Sequence, residues 1–322
     1  MKTNEEIKLI AKSTIETEAQ SMLKLVDFVD EEFVKVVQRL LQNSGRLIIT
    51  AIGKSANIAQ KLVATFNSTG QPALFMHAAD AIHGDLGNVQ TEDVVMLISK
   101  SGNTSEIKSL LPLLKNMGND LVAMTGNINS FLGKQSDYVL NTSVEKEACP
   151  NNLAPTSSTT AQLVMGDALA VCLLECRNFS DVDFARFHPG GVLGKRLFLK
   201  VSDLCTQHES PKVSVDADLK SIILEISQKR LGATAVMHED FLKGIITDGD
   251  IRRMLEESND DFMFLKAKDI MCVNPKQIQA DELAVVALKT MEEYNITQLL
   301  VMQGVTYIGI VHLHDILKEG II

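Results

Sequence analysis

Two short stretches place hydroxyls, a glycine and charge at the end of an apolar run. In the first, Val94-Val95-Met96-Leu97-Ile98 gives way to Ser99-Lys100-Ser101-Gly102-Asn103-Thr104, and Glu106 follows. Ser99, Ser101 and Thr104 supply hydroxyl donors, and Gly102 lets the backbone come close to a ligand. A helix starting at Ser105 would aim its free N–H groups at the same spot. Hydroxyls and helix amides together make a cradle for a phosphate monoester. The second stretch is Ile52-Gly53-Lys54-Ser55. Gly53 permits a tight turn, a following helix favours an anion, and Lys54 adds a cation. Gly-Lys-Ser invites comparison with the nucleotide-binding P-loop. That motif needs a glycine where Ile48 stands, so a P-loop ATPase is excluded. Each stretch alone also has a plain reading: a β–α turn with a surface lysine, and a serine-rich loop capped by Thr104 or Ser105. Two such turns on neighbouring strands favour the anion site.

The elements that must position these turns alternate. The first forty-odd residues read as helix, with Ile7, Ala11, Ile15, Ala19, Met22, Val26 and Val29 on one apolar face. Strands are expected at Arg46 to Ile52, Pro72 to His77, Val94 to Ile98, Leu121 to Thr125 and Tyr138 to Asn141. Helices are expected at Ala56 to Asn67, Ser105 to Met117 and Thr159 to Cys176. Strands alternating with helices argue for a parallel sheet covered on both faces. In such a sheet, ligands bind beyond the carboxyl ends of the strands, where both turns fall.

After Lys200 the chain repeats itself. Gly244 corresponds to Gly309 and Asp250 to Asp315, each 65 positions on, and Asp203 corresponds to Asp269. Each copy holds a helical segment and then an apolar strand, Ala235-Val236-Met237 or Leu300-Val301-Met302. Each copy is small for a core of its own, so the two should pack together. A linker near Ser258 to Phe264 carries no clear signal.

Composition narrows the classes. The 322 residues allow two or three domains, and 45% hydrophobic residues allow a sizeable core. The net charge of −10 argues against general affinity for nucleic acid, though not against a local anion site. No apolar run looks long enough for a membrane span, and Met1-Lys2-Thr3-Asn4-Glu5-Glu6 lacks the apolar core of a signal peptide. The five cysteines are odd in number and form no C-x-x-C pair, which fits a reducing cytoplasm better than a disulfide framework or zinc site.

Gly53-Lys54-Ser55 and Ser99-x-Ser101-Gly102-x-Thr104 resemble the phosphosugar-binding turns of the sugar isomerase (SIS) domain. Further runs are similar to the D-arabinose-5-phosphate isomerases. They are His83-Gly84-Asp85-Leu86-Gly87, Lys146-Glu147-Ala148-Cys149-Pro150, Leu153-Ala154-Pro155-Thr156-Ser157-Ser158-Thr159-Thr160, Met165-Gly166-Asp167-Ala168-Leu169-Ala170 and His188-Pro189-Gly190-Gly191. The repeats resemble a pair of CBS modules, which the same family carries. The match follows most of the chain and keeps the domain order.

The resemblance implies an α/β fold. A SIS-type doubly wound parallel five-stranded sheet flanked by helices would occupy 1–200, with tandem CBS (β/α) modules at 201–264 and 265–322. It implies an aldose–ketose isomerase that interconverts D-ribulose 5-phosphate and D-arabinose 5-phosphate through an enediol and feeds Kdo synthesis for lipopolysaccharide or capsule. No redox cofactor is needed and, in principle, no metal; His83 and Asp85 are too few for a metal site. It places Lys54, Glu106, Glu147 and His188 in the catalytic site. Glu106, directly after the phosphate turn, is favoured as the base, with burial raising its pKa. Glu147 is the rival, or holds a hydroxyl or tunes Lys54. Lys54 can stabilise the enediolate oxygen, and His188 can move a proton between O1 and O2 and help open the aldose ring. Gly53, Ser55, Ser99, Ser101 and Thr104 would hold the phosphate, and His83 a substrate hydroxyl. Each of the four catalytic candidates also has a structural reading: a helix-start charge, a solvated loop charge, a loop histidine, a surface lysine.

By analogy with SIS proteins, His188 reaches a neighbouring subunit's site. That implies a homo-oligomer, a tetramer being favoured, with the first helix in the interface. CBS pairs bind adenine nucleotides through Gly-x-x-Thr-x-x-Asp turns. Gly244, Thr247 and Asp250 form one; in the second, Asp315 remains but His312 replaces the threonine. A nucleotide or other small effector is one reading, and an oligomerisation module without ligand is the other. Two further alternatives stand: an isomerase of another phosphosugar, or a phosphosugar-sensing regulator. The regulators carry a helix-turn-helix, and only about forty residues precede the first strand here.

Overall fold

The computed structural model describes residues 1–206, 209–257 and 264–321. All but the last residue of the linker at 258–264 lies outside these. The chain divides into two compact units, Met1–Phe187 and His188–Ile322.

The first unit begins with helices α1 (Asn4–Lys24) and α2 (Glu31–Leu41). The single long helical face expected from the sequence is broken. A 3-10 turn at Leu25–Phe28 ends α1, and the Asp30 carboxylate caps α2 by accepting from the N–H groups of Glu32 and Phe33. The body of the unit then alternates: β1 (Leu47–Ala51), α3 (Lys54–Ser68), β2 (Ala73–His77), α4 (Ala78–Ala81), β3 (Val94–Ser99), α5 (Ser105–Asn116), β4 (Leu121–Thr125), α6 (Phe131–Gln135), β5 (Tyr138–Asn141), α7 (Ser157–Cys176) and α8 (Asp181–Phe187).

The five strands are parallel, in the order β2-β1-β3-β4-β5. β1, β3 and β4 are buried at every residue, because helices cover both faces. Successive side chains serve opposite layers. Leu47, Ile49, Val94, Met96, Ile98, Val122 and Met124 pack with α2, α3 and α7. Ile48, Val95, Leu97, Leu121 and Ala123 pack with α4, α5 and α6. A one-residue slip would exchange these two sets, so the double burial fixes the register. The chain leaves β1 towards β2 on one side and returns at β3 on the other. The strand order therefore reverses between β1 and β3, and the crevice at their carboxyl ends is where such a sheet takes a ligand.

The expectation that no segment is apolar enough for a membrane span needs correction. α7 is 20 residues long and contains an 18-residue stretch of mean hydropathy 1.3, long and apolar enough to cross a membrane by those measures. Its apolar character has a local cause: it packs against α1, α2 and α3.

The second unit starts with α9 (Val192–Phe198) and α10 (Val201–Cys205). The first repeat follows as β6 (Lys212–Ser214), α11 (Leu219–Lys229), β7 (Ala233–His238), β8 (Phe241–Thr247) and α12 (Asp248–Glu257). The second runs α13 (Ala267–Ile270), β9 (Gln277–Gln279), α14 (Ala284–Tyr294), β10 (Gln298–Gln303), β11 (Thr306–His312) and α15 (Leu313–Lys318). Each repeat forms a three-stranded sheet with one parallel and one antiparallel pair. Even the bulges correspond, at Val236/Met237 and Val301/Met302. The copies exchange their lead-in helices. Val201, Leu204 and Cys205 of α10 lie in the core of the second copy, and Ala267 of α13 in that of the first. Neither copy closes its core alone. α9 sides with this unit because it packs on α14, and Lys195 pairs with Glu319 at 2.8 Å.

Candidate active site

Three helices of the first unit begin around one cleft of about 300 Å³. α3 brings Lys54 and Ser55, the β3–α5 turn brings Ser99, Lys100, Ser101 and Thr104, and the start of α7 brings Ser158 and Thr159. Ile52, Ile98 and Pro155 complete the wall. The N-cap residues Gly53, Thr104 and Thr156 make no side-chain capping bond. By contrast, Thr3 and Asp30 cap α1 and α2 with their side chains. Helix N-termini carry free N–H groups and partial positive charge. α3 and α5 start without an N-cap side-chain bond, while Glu147 takes the first amides of α7. With two lysines and no carboxylate in the lining, the cleft has the character of an anion site although the chain's net charge is −10.

The turn is built by its own hydroxyls. The Ser99 and Thr104 hydroxyls are hydrogen-bonded at 2.8 Å, Gly102 N–H donates to Ser99 Oγ at 3.1 Å, and Asn103 N–H donates to Ser101 Oγ at 3.2 Å. Ser99 is buried, so its hydroxyl shapes the turn, whereas Ser101 is exposed and lines the cleft. Gly102 has φ +63°, and a Cβ there would stand 1.9 Å from Ser130 Oγ, so only glycine fits. Gly53 has φ +63° with open space around it; its need is conformational.

The two carboxylates differ sharply. Glu106 sits in the first turn of α5, partly exposed, with Ser105 Oγ donating to it at 2.8 Å. Its own backbone N–H and the Ser105 hydroxyl hold its pKa below the usual carboxylate value, helped by the nearby His77. The expected upward shift by burial is therefore absent in the free chain, because α5 starts at the surface. Glu147 is buried. One carboxylate oxygen accepts from Lys100 Nζ at 2.5 Å. The other accepts from the N–H groups of Thr156 (2.8 Å) and Ser158 (3.1 Å) and from the Thr156 hydroxyl (3.2 Å). Burial works to raise its pKa, but Lys100, Ser158 and Thr156 outweigh that and bring it down to about 2. Its cation partner is Lys100, not Lys54.

The remaining candidates are dispersed. His83 is exposed in the turn after α4 and does not line the cleft. His188 is the first residue of the second unit; its carbonyl accepts Gly191 N–H at 3.1 Å. Sequence reasoning overlooked two residues. Lys100 stood in the quoted turn with nothing in its spacing to mark it. His77 ends β2, its Nδ1 3.5 Å from Asp80 Oδ2, and α4, directly after it, packs on α5, which carries Glu106.

Comparison with known proteins agrees with this layout. The SIS domain family matches residues 40–172, and the CBS domain family matches 201–257 and 267–321. The chain is 46% identical to the arabinose 5-phosphate isomerase of Francisella tularensis, covering 96% of this chain and 95% of that protein. It is 41% identical to that of Escherichia coli K12, covering 97% and 95%. This chain belongs to the arabinose 5-phosphate isomerase family. Among solved structures, E. coli CFT073 c3406 in complex with arabinose 5-phosphate is 40% identical with a TM-score of 0.57, covering 58% of this chain and 100% of that one.

The family's CBS pair has its own details here. Asp250 Oδ2 accepts from the Thr247 N–H (2.8 Å) and hydroxyl (2.7 Å), and Arg253 pairs with the same carboxylate. In the second copy, His312 does the capping: its Nδ1 accepts from His314 N–H at 3.0 Å. The histidine thus replaces threonine as a helix cap, and Asp315 stays buried beside it.

Proposed function

We propose that this chain interconverts D-ribulose 5-phosphate and D-arabinose 5-phosphate. The observation that carries the reading is the cleft where the starts of α3 and α5, without N-cap side-chain bonds, meet two lysines, in a chain of this family. The phosphate sits against the turn Ser99–Thr104 and the starts of α3 and α7. Glu106 acts on the far end of the sugar. It moves the proton between C1 and C2 while Lys54 stabilises the enediolate oxygen. Of the two carboxylates, Glu106 suits the base because it is partly exposed and bonded only within its own turn, with no cation among the described residues paired to it. Glu147 is tied to Lys100 and to the start of α7, and serves to hold the cleft's walls. His188 shuttles a proton between oxygens, supplied by a neighbouring copy of the chain. His83 remains a candidate for a substrate hydroxyl. Thr247, Asp250 and Asp315 remain candidates for a small effector.

The homo-oligomer reading draws on apolar side chains left uncovered on α1 and α7, such as Ile15 (69% exposed) and Val171 (55%). The product would enter Kdo synthesis, and the place of work is the cytoplasm. The purified chain should convert ribulose 5-phosphate to an aldose that co-chromatographs with arabinose 5-phosphate. Turnover of a hexose or amino-sugar phosphate in its place would move the assignment to another isomerase. Binding without turnover of any would favour the sensor.

A further inference from the structure

The proposed site assigns Lys54 to the reacting oxygen and leaves the phosphate to hydroxyls and amides. Lys100 is a second cation on the same cleft, in the middle of the phosphate turn. Its side chain is 46% exposed, whereas the Glu147 side chain that it pairs with is 0% exposed. Glu147 takes one of the ammonium's three N–H donors. Among the described residues, no other partner takes the remaining two. The carboxylate's other oxygen is fixed by the first amides of α7. A rigid, buried acceptor thus holds the head of an otherwise flexible lysine at the wall of an anion cleft. Holding it there removes much of the rotamer entropy that a free lysine would lose on binding an anion. A buried carboxylate is a costly way to secure a surface lysine unless the lysine has a further task.

We propose that Lys100 is the phosphate-binding cation of the site, with Glu147 as its positioning residue. On binding, the ammonium bridges the buried carboxylate and a phosphate oxygen by charge-assisted hydrogen bonds. This rests on the isomerase reading for the substrate's identity, but the subsite itself is recognised by phosphate alone.

The test therefore uses inorganic phosphate, titrated by calorimetry into the full-length chain and three variants. K100M leaves Glu147 buried and unpaired and risks misfolding; K100M/E147Q removes both charges and keeps the shape. K100R keeps charge and donors. K100M/E147Q is expected to bind phosphate about tenfold more weakly than wild type, the scale of one charge-assisted bond. K100R should stay within about threefold, and the KM for ribulose 5-phosphate should rise in parallel in K100M/E147Q. Unchanged phosphate affinity in folded K100M/E147Q would overturn the proposal and leave the pair a purely structural link. So would an equal loss in K100R. Because phosphate binding is read without turnover, a wild type that binds phosphate but isomerises nothing would defeat the isomerase reading and leave Lys100 in place.

Discussion

The contrast between Glu106 and Glu147 has a direct consequence for stability. Glu147 has a folded pKa of about 2 against an ordinary 4.5. A group whose folded pKa is depressed contributes stability above its unfolded pKa and loses it as pH falls through the folded one. The shift corresponds to about 3 kcal/mol at neutral pH. E147Q should therefore unfold more easily than wild type at pH 7 by roughly that amount, measured by urea denaturation. The gap should close as pH falls from about 4.5 towards 2. A gap independent of pH would mean that the carboxylate's charge is not what Lys100 and the α7 amides hold. Glu106 should behave otherwise: it is exposed and bonded to its own turn, so E106Q should leave stability almost unchanged and act on turnover.

At the scale of elements, the two glycine turns hold the cleft in different ways. G102A meets both a positive φ and a Cβ overlap with Ser130, which is anchored by capping α6. It should cost about 2–4 kcal/mol and lower Tm visibly. G53A meets only the backbone strain, about 1–3 kcal/mol, with open space around the new methyl. Its effect should fall more on KM than on Tm; thermal melts beside steady-state kinetics separate the two. A larger Tm loss in G53A would contradict this picture. The turns and strands were legible in the sequence because local pattern dictates them. Val94–Ile98 is buried on both sides and so wholly apolar, and the hydroxyls mark where it ends. Lys100 and Glu147 lie 47 positions apart, and no periodicity relates them. β4 separates β3 from β5 in the sheet, so the pairing of Lys100 with Glu147 depends on the course of the long loop from β5 into α7. The apolar face of α1 was legible only in part, because spacing shows that residues share a side but not what covers it. Ile7 and Ile15 share that side and remain exposed.

At the scale of the molecule, the two units make separable demands. The c3406 chain is matched over its whole length by 58% of this chain, so a SIS unit can stand alone. Residues 1–200 expressed by themselves should catalyse the same reaction within about threefold of the full chain. Cutting between the repeats should fail for a different reason, since α10 sits in the core of the second copy and α13 in that of the first. Either repeat alone should remain unfolded by circular dichroism. Light scattering should find more than one copy per particle. An aspartate at Val171 or Ile15 should weaken that association and, with it, turnover if His188 serves the neighbouring site. A monomer with full activity would contradict the shared site.

The central claim is that a sugar phosphate lies in the three-helix cleft and that Glu106 moves its proton. Proton NMR of ribulose 5-phosphate in deuterated water, with wild type and E106Q side by side, tests it most directly. The account predicts that wild type forms arabinose 5-phosphate carrying deuterium at C2, while E106Q still binds inorganic phosphate but neither exchanges the proton nor makes product at a comparable rate. Full exchange and turnover by E106Q would contradict it and move the base elsewhere in the site.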